Sequence, residues 1–164
     1  MNPDRIEGWL IRSDAAIERI EDDPAQAALA RTYAASAAAR DRNDPRALIN
    51  YYYAYVEAGE TPPEQAIIAL ETAFDHAGSD PGYRILLARQ LVTEDRMGAA
   101  LSVLLPIAFE GHGQGDKEIA EEDKSDEPSL GKLLRLVNAG DRDGAIAMMD
   151  KMFDDEEEDE GKGG

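Results

Sequence analysis

Proton-transfer chemistry would fall first to histidine, and the 164-residue chain has two, His76 and His112. His76 falls near a helix end, where interaction with the terminal carbonyls is the ordinary role. His112 lies in Gly111-His112-Gly113-Gln114-Gly115, and with no cysteine or paired histidine beside it no transition-metal site is expected. That glycine run also lacks the Gly-Lys-Ser/Thr ending of a phosphate loop and follows a helical pattern rather than a strand, so it reads as a linker. Cysteine is absent, which removes disulfides, thiolate zinc sites and cysteine nucleophiles. Two acidic blocks remain: residues 116–127 carry seven acidic against two basic side chains, and 154–164 seven against one. Such blocks could hold hard cations weakly or meet a basic partner, but residues 154–160 have neither the glycine nor the alternating ligands of a calcium loop. A solvated, self-repelling segment is the better reading. No motif pairs a nucleophile with a base, so no catalytic residue, metal or cofactor is expected.

Binding is better represented than catalysis. Tyr51-Tyr52-Tyr53-Tyr55 is the densest aromatic cluster, in a chain with only 6% aromatic residues. Tyr51, Tyr52 and Tyr55 are expected in inter-helix packing with their hydroxyls at the edge, and Tyr53 on an accessible face. The elements that would position them are helices. Alanine is abundant and β-branched runs are missing, so helix propensity dominates and the chain should be all-α. Asp23-Pro24, Asp44-Pro45 and Asp80-Pro81 punctuate the pattern as N-cap and first helical residue. The expected helices are one with Pro3 in its first turn and Ile6, Trp9, Leu10, Ile17 and Ile20 near one face, bent near Ser13-Asp14, then 24–40, 45–58, a helix capped by Thr61 and reaching His76, 81–93, and one reaching Phe109 in which Pro106 makes a kink or an early stop. A short pair follows at 129–139 and 141–153. Residues 111–128 read as an acidic loop insertion and 154–164 as a disordered acidic tail, leaving one domain over 1–153.

An internal repeat links these elements. With Gly59-Glu60, Asp95-Arg96 and Gly140-Asp141 aligned as turns between paired helices, an alanine opens each following helix: Ala66, Ala100 and Ala145. Ala66 and Ala100 are 34 residues apart, and the longer step to Ala145 absorbs the acidic insertion. These positions resemble the tetratricopeptide repeat (TPR) family. Tyr51, Tyr52 and Tyr55 stand at its leucine, small and tyrosine positions, with Tyr52 larger than usual. Leu87, Ala88 and Leu91 occupy them one unit later. Ala66, Leu70 and Ala73 match the small, aromatic and small positions of the second helix, as do Ala100, Leu104 and Ile107. The run from Arg89 to Ala108 also looks like bacterial TPR proteins in which such a segment follows another domain. The resemblance implies an α-α superhelix of about three to four stacked antiparallel hairpins whose first helices line a concave groove. Arg46, Ile49, Tyr53 and Glu57 would face that groove, joined by Ile85, Arg89 and Val92. Arg89 fits one position of a carboxylate-binding clamp, but Ile85 and Tyr53 stand where polar partners would be needed, so that type of capture is not expected.

The expected function is therefore a non-enzymatic scaffold that binds a peptide or partner helix of another protein. The alternative is a structural or regulatory assembly module of a larger multidomain protein, with homodimerisation through the alanine-rich amino-terminal helices. An acidic mimic of nucleic acid ranks last. The net charge of −18, with no cluster of lysine and arginine, disfavours nucleic-acid binding. The start at Met1-Asn2-Pro3-Asp4 has no basic segment followed by an apolar run, and no stretch approaches the length of a membrane span; a cytoplasmic protein without membrane contact is expected.

Overall fold

The fold follows from alternating helix-forming runs and Asp-Pro or glycine stops, and a computed structural model describes it over residues 5–110 and 128–160. Among the described residues there are eight helices and no strand. They are α1 (Ile6–Ile17), α2 (Gln26–Ala38), α3 (Pro45–Val56), α4 (Glu64–Ala77), α5 (Pro81–Thr93), α6 (Met97–Glu110), α7 (Leu130–Asn138) and α8 (Arg142–Glu160). The expected loop at 111–128 lies, up to residue 127, outside the described residues, as do 161–164. Two compact units divide the chain, Met1–Tyr83 and Arg84–Gly164.

In the first unit each helix packs on the next, α1 on α2, α2 on α3 and α3 on α4, and α1 also touches α3. That last contact sets the first helices of successive hairpins side by side, the packing of a helical-repeat array. Close approach is possible because α2 buries only methyl groups, Ala27, Ala30, Ala34 and Ala37. Ala27 and Ala30 join Ala16, Ile20 and Ala54 in one cluster, while Ala37 joins Leu10 and Ala47 in another. The α1 backbone comes near enough for the wholly buried Ser13 hydroxyl to donate to the Ala30 carbonyl at 3.1 Å. α1 runs without a break through Ser13-Asp14, and the hydroxyl is satisfied by the neighbouring helix instead of competing for its own backbone. Arg31 of α2 lies 3.8 Å from the Tyr55 ring centre and pairs with Glu60 at 2.8 Å. At the other end of this hairpin the Trp9 ring has the Arg12 and Arg40 guanidinium groups 5.1 and 4.9 Å from its centre.

The Asp-Pro stops share one hydrogen bond, but Asp23-Pro24 does not open α2 as expected: that helix starts at Gln26 with Ala25 as its N-cap, after a turn at residues 24 and 25. Asp23, Asp44 and Asp80 each accept a hydrogen bond from the backbone N–H two residues on, at 3.1, 2.9 and 2.8 Å. Proline fixes φ between donor and acceptor and has no N–H of its own to leave unpaired. Thr61 makes no such cap. The N-cap of α4 is Pro63, without a side-chain bond, because the Pro62-Pro63 pair holds the chain extended until Glu64.

Asp44 carries more than a cap. Arg46 Nε and Nη2 donate to its two oxygens at 3.1 and 2.6 Å, and these bonds hold the carboxyl below its ordinary pKa. A depressed folded-state pKa contributes stability above the unfolded value of about 3.9 and loses it as pH falls through the folded value. At neutral pH, Asp44→Ala should cost about 1–2 kcal/mol and Asp44→Asn, which keeps a capping oxygen, under about 1. In urea titrations over pH, both differences should shrink below about pH 4.

The three aligned turns share one geometry. Gly59, Asp95 and Gly140 have φ of 66°, 63° and 73°. In each, the next N–H reaches back five residues, Glu60 to Tyr55, Arg96 to Leu91 and Asp141 to Leu136, at 2.9, 2.8 and 2.9 Å. This is the left-handed helix stop that glycine adopts without penalty. Seven residues before each turn, Tyr52, Ala88 and Leu133 are fully buried, and in the helix after it so are Ala66 with Leu70, Ala100 with Leu104, and Ala145 with Met149. The α1–α2 connection has no positive φ, in keeping with its looser fit to the repeat. Asp95 alone pays for a side chain in this conformation, so Asp95→Gly should raise thermal stability by up to about 1 kcal/mol. Asp95→Ala, which keeps a Cβ, should give no gain in the same melting experiment.

In the second unit α7 packs on α6 and α8. Arg89 donates to Asp150 at 2.6 Å, and Arg142 to the Thr93 carbonyl at 2.7 Å, fastening α8 to α5. α6 runs through Pro106 to Glu110. One turn earlier, Arg84 donates to the Val103 carbonyl at 3.2 Å, an outside donor beside the gap that proline leaves in the helix ladder. α8 continues past Phe153 to Glu160, so the backbone expected to be a disordered tail from Asp154 is helical over seven further residues. Glutamate has good helix propensity, and extending a packed helix needs no new nucleus.

Candidate functional site

Helix periodicity aligns Glu7, Leu10, Ile11 and Asp14 on one face of α1, and the equivalent spacing aligns Arg46, Ile49 and Asn50 on α3. With Tyr83 these residues line a cleft of about 430 Å³ within the first unit. Its floor is apolar: Leu10 and Ile49 are buried, whereas Ile11 stands 61% exposed at the side. The rim is polar. Asn50 donates to Asp14 Oδ1 at 2.6 Å, tying α3 to α1 across the cleft. Burial pushes the Tyr83 phenol up, with Asp80 and Asp44 adding to the shift and Arg46 opposing it. The ring therefore presents a neutral hydroxyl at neutral pH. Arg46 is held charged chiefly by its bonds to Asp44, with Glu7 adding to the effect.

Of the residues expected on the groove, Arg46 and Ile49 meet in this cleft. Tyr53 is half-buried and Glu57 exposed at the α3 C-cap, and neither lines it. The other three belong to the second unit. Val92 is wholly enclosed and Ile85 nearly so, which makes both core residues, and Arg89 already holds the Asp150 carboxylate. Tyr52 is buried, and Tyr51 and Tyr55 stack edge to face with centres 5.7 Å apart, the packing role expected for them.

Sequence reasoning passed over Glu7, Leu10, Ile11, Asp14, Asn50 and Tyr83. The signal was present on α1 as the i, i+3, i+4, i+7 spacing of residues 7, 10, 11 and 14, the same spacing that places 46, 49, 50 and 53 on one face of α3. The amino-terminal pair matches the repeat pattern least, so the alignment of turns assigns no groove face to α1.

No group of three or more acidic or histidine side chains suited to a metal ion occurs among the described residues. His76 is exposed in the last turn of α4, and His112 lies outside the described residues. No described helix is long and apolar enough to cross a membrane. Comparison with protein-family models, curated proteins and solved structures gives no match.

Proposed function

We propose that this chain is a TPR-like, non-enzymatic scaffold that binds a segment of another protein in the cleft between α1 and α3. The observation that carries the reading is the cleft itself: an apolar floor with a polar rim, built from the first helices of successive hairpins and containing Arg46 and Ile49. Concave sites with a few convergent polar groups are where proteins take ligands, and helical-repeat arrays use this face for peptides. Ile11 supports it further, because a large apolar side chain held in water gains most from being covered.

The test compares the wild-type chain with Ile11→Asp as bait in native cell extract at physiological salt. Ile11 is exposed, so the substitution should leave the helical circular dichroism unchanged. A protein retained by the wild type and lost at least tenfold by the variant is the expected result. Identical retained proteins in equal amounts would remove the cleft from the function.

A further inference from the structure

The cleft's charge is one-sided. α1 sets two carboxylates, Glu7 and Asp14, on either side of Leu10 and Ile11 along a single helical face. Seven residues of helix put the two acids about 10 Å apart. Arg46, the cation among the lining residues, already has its guanidinium on both oxygens of Asp44, so its charge is offset before any ligand arrives. Asp14 accepts from Asn50 through one of its oxygens. An acidic segment or a terminal carboxylate would meet two acids here, whereas a cationic one would meet partners.

Size narrows the occupant. A helix needs two turns, about seven residues, to reach both carboxylates. An extended segment covers this reach in about four residues, with the side chains at i, i+2 and i+4 on one face and the flexible lysine stems taking up the difference. We infer that the cleft takes an extended segment of a partner protein in which an apolar side chain lies between two lysines or arginines at alternate positions of one strand face, the apolar side chain against Ile11 and the cations on Glu7 and Asp14. This rests on the cleft being the binding site proposed above.

The probe is a fluorescein-labelled octapeptide with a Lys-Ser-Leu-Ser-Lys core flanked by glycine and serine, alongside versions with glutamine or glutamate for both lysines. Binding is followed by fluorescence anisotropy at physiological salt. The lysine peptide should bind about tenfold more tightly than the glutamine peptide, and the glutamate peptide weakest of all. Glu7→Lys with Asp14→Lys should abolish the preference for lysine and favour the glutamate peptide. Glu71→Lys with Asp75→Lys reverses two exposed acids on α4, outside the cleft, and should change affinity less than twofold. If the α4 pair weakens the lysine peptide as much as the α1 pair does, the attraction belongs to an acidic protein in general and the inference falls. If lysine and glutamine peptides bind equally and both are lost in Ile11→Asp, the charge inference falls while the cleft stands as a binding site. If no peptide responds to Ile11→Asp, both fall.

Discussion

Tyr52→Ala should destabilise the first unit by about 3–5 kcal/mol, the range found when a large buried aromatic side chain is truncated. Tyr52 has no exposed surface and is the largest side chain so enclosed. It sits midway along α3, the helix that packs on α1, α2 and α4, so a void there loosens the packing of three neighbours. Its counterparts one and two turns of the repeat later are Ala88 and Leu133, also fully buried, which shows that one backbone position accepts very different volumes when its neighbours are chosen to match. Tyr52→Phe keeps the ring and should cost no more than about 1–2 kcal/mol. Urea denaturation followed by far-ultraviolet circular dichroism separates the two. A loss below about 1 kcal/mol for the alanine variant would mean that Tyr52 does not hold α3 in place.

Ala30→Leu is the opposite experiment. Ala30 has no exposed surface, and its carbonyl takes the Ser13 hydroxyl, so the α1–α2 spacing there is set by a methyl group. Three added carbons must push α1 away, at about 1–3 kcal/mol for overpacking and about 1 more for the broken hydrogen bond. The expected total is about 3 kcal/mol by the same denaturation measurement. Ala35→Leu, on the exposed face of α2, should stay within about 0.5 kcal/mol, since leucine and alanine differ little in helix propensity. The cleft should also suffer in Ala30→Leu: displacement of α1 moves Glu7, Leu10, Ile11 and Asp14 relative to α3. Binding should therefore fall along with stability, whereas Ala35→Leu leaves both intact.

Much of the fold was legible because local chemistry carries it. Asp-Pro caps act within three residues, and the left-handed stops at Gly59, Asp95 and Gly140 recur where the aligned turns placed them. The site was legible only in part, for two physical reasons. In α5, Ile85, Leu86, Leu87, Ala88, Gln90, Leu91 and Val92 are all buried, so the helix is enclosed on most sides with no single apolar face. Periodicity cannot assign a face to such a helix, and Ile85 and Val92 were placed on a groove although they are enclosed. Arginine partners are equally hidden. Arg89 meets Asp150 across 61 residues of chain, and no local pattern announces the pair. Arg46 was counted as a groove cation, though Asp44 two residues before it already holds the charge.

Trp9, the chain's single tryptophan, lies in the first unit with two guanidinium groups close to its ring. Its emission is thus an optical gauge of one unit alone, while far-ultraviolet dichroism sums the helices of both. Running the two spectroscopies on the same denaturation series reads out cooperativity without any label. Coincident curves mean that the units melt as one, and separated curves give each unit its own free energy.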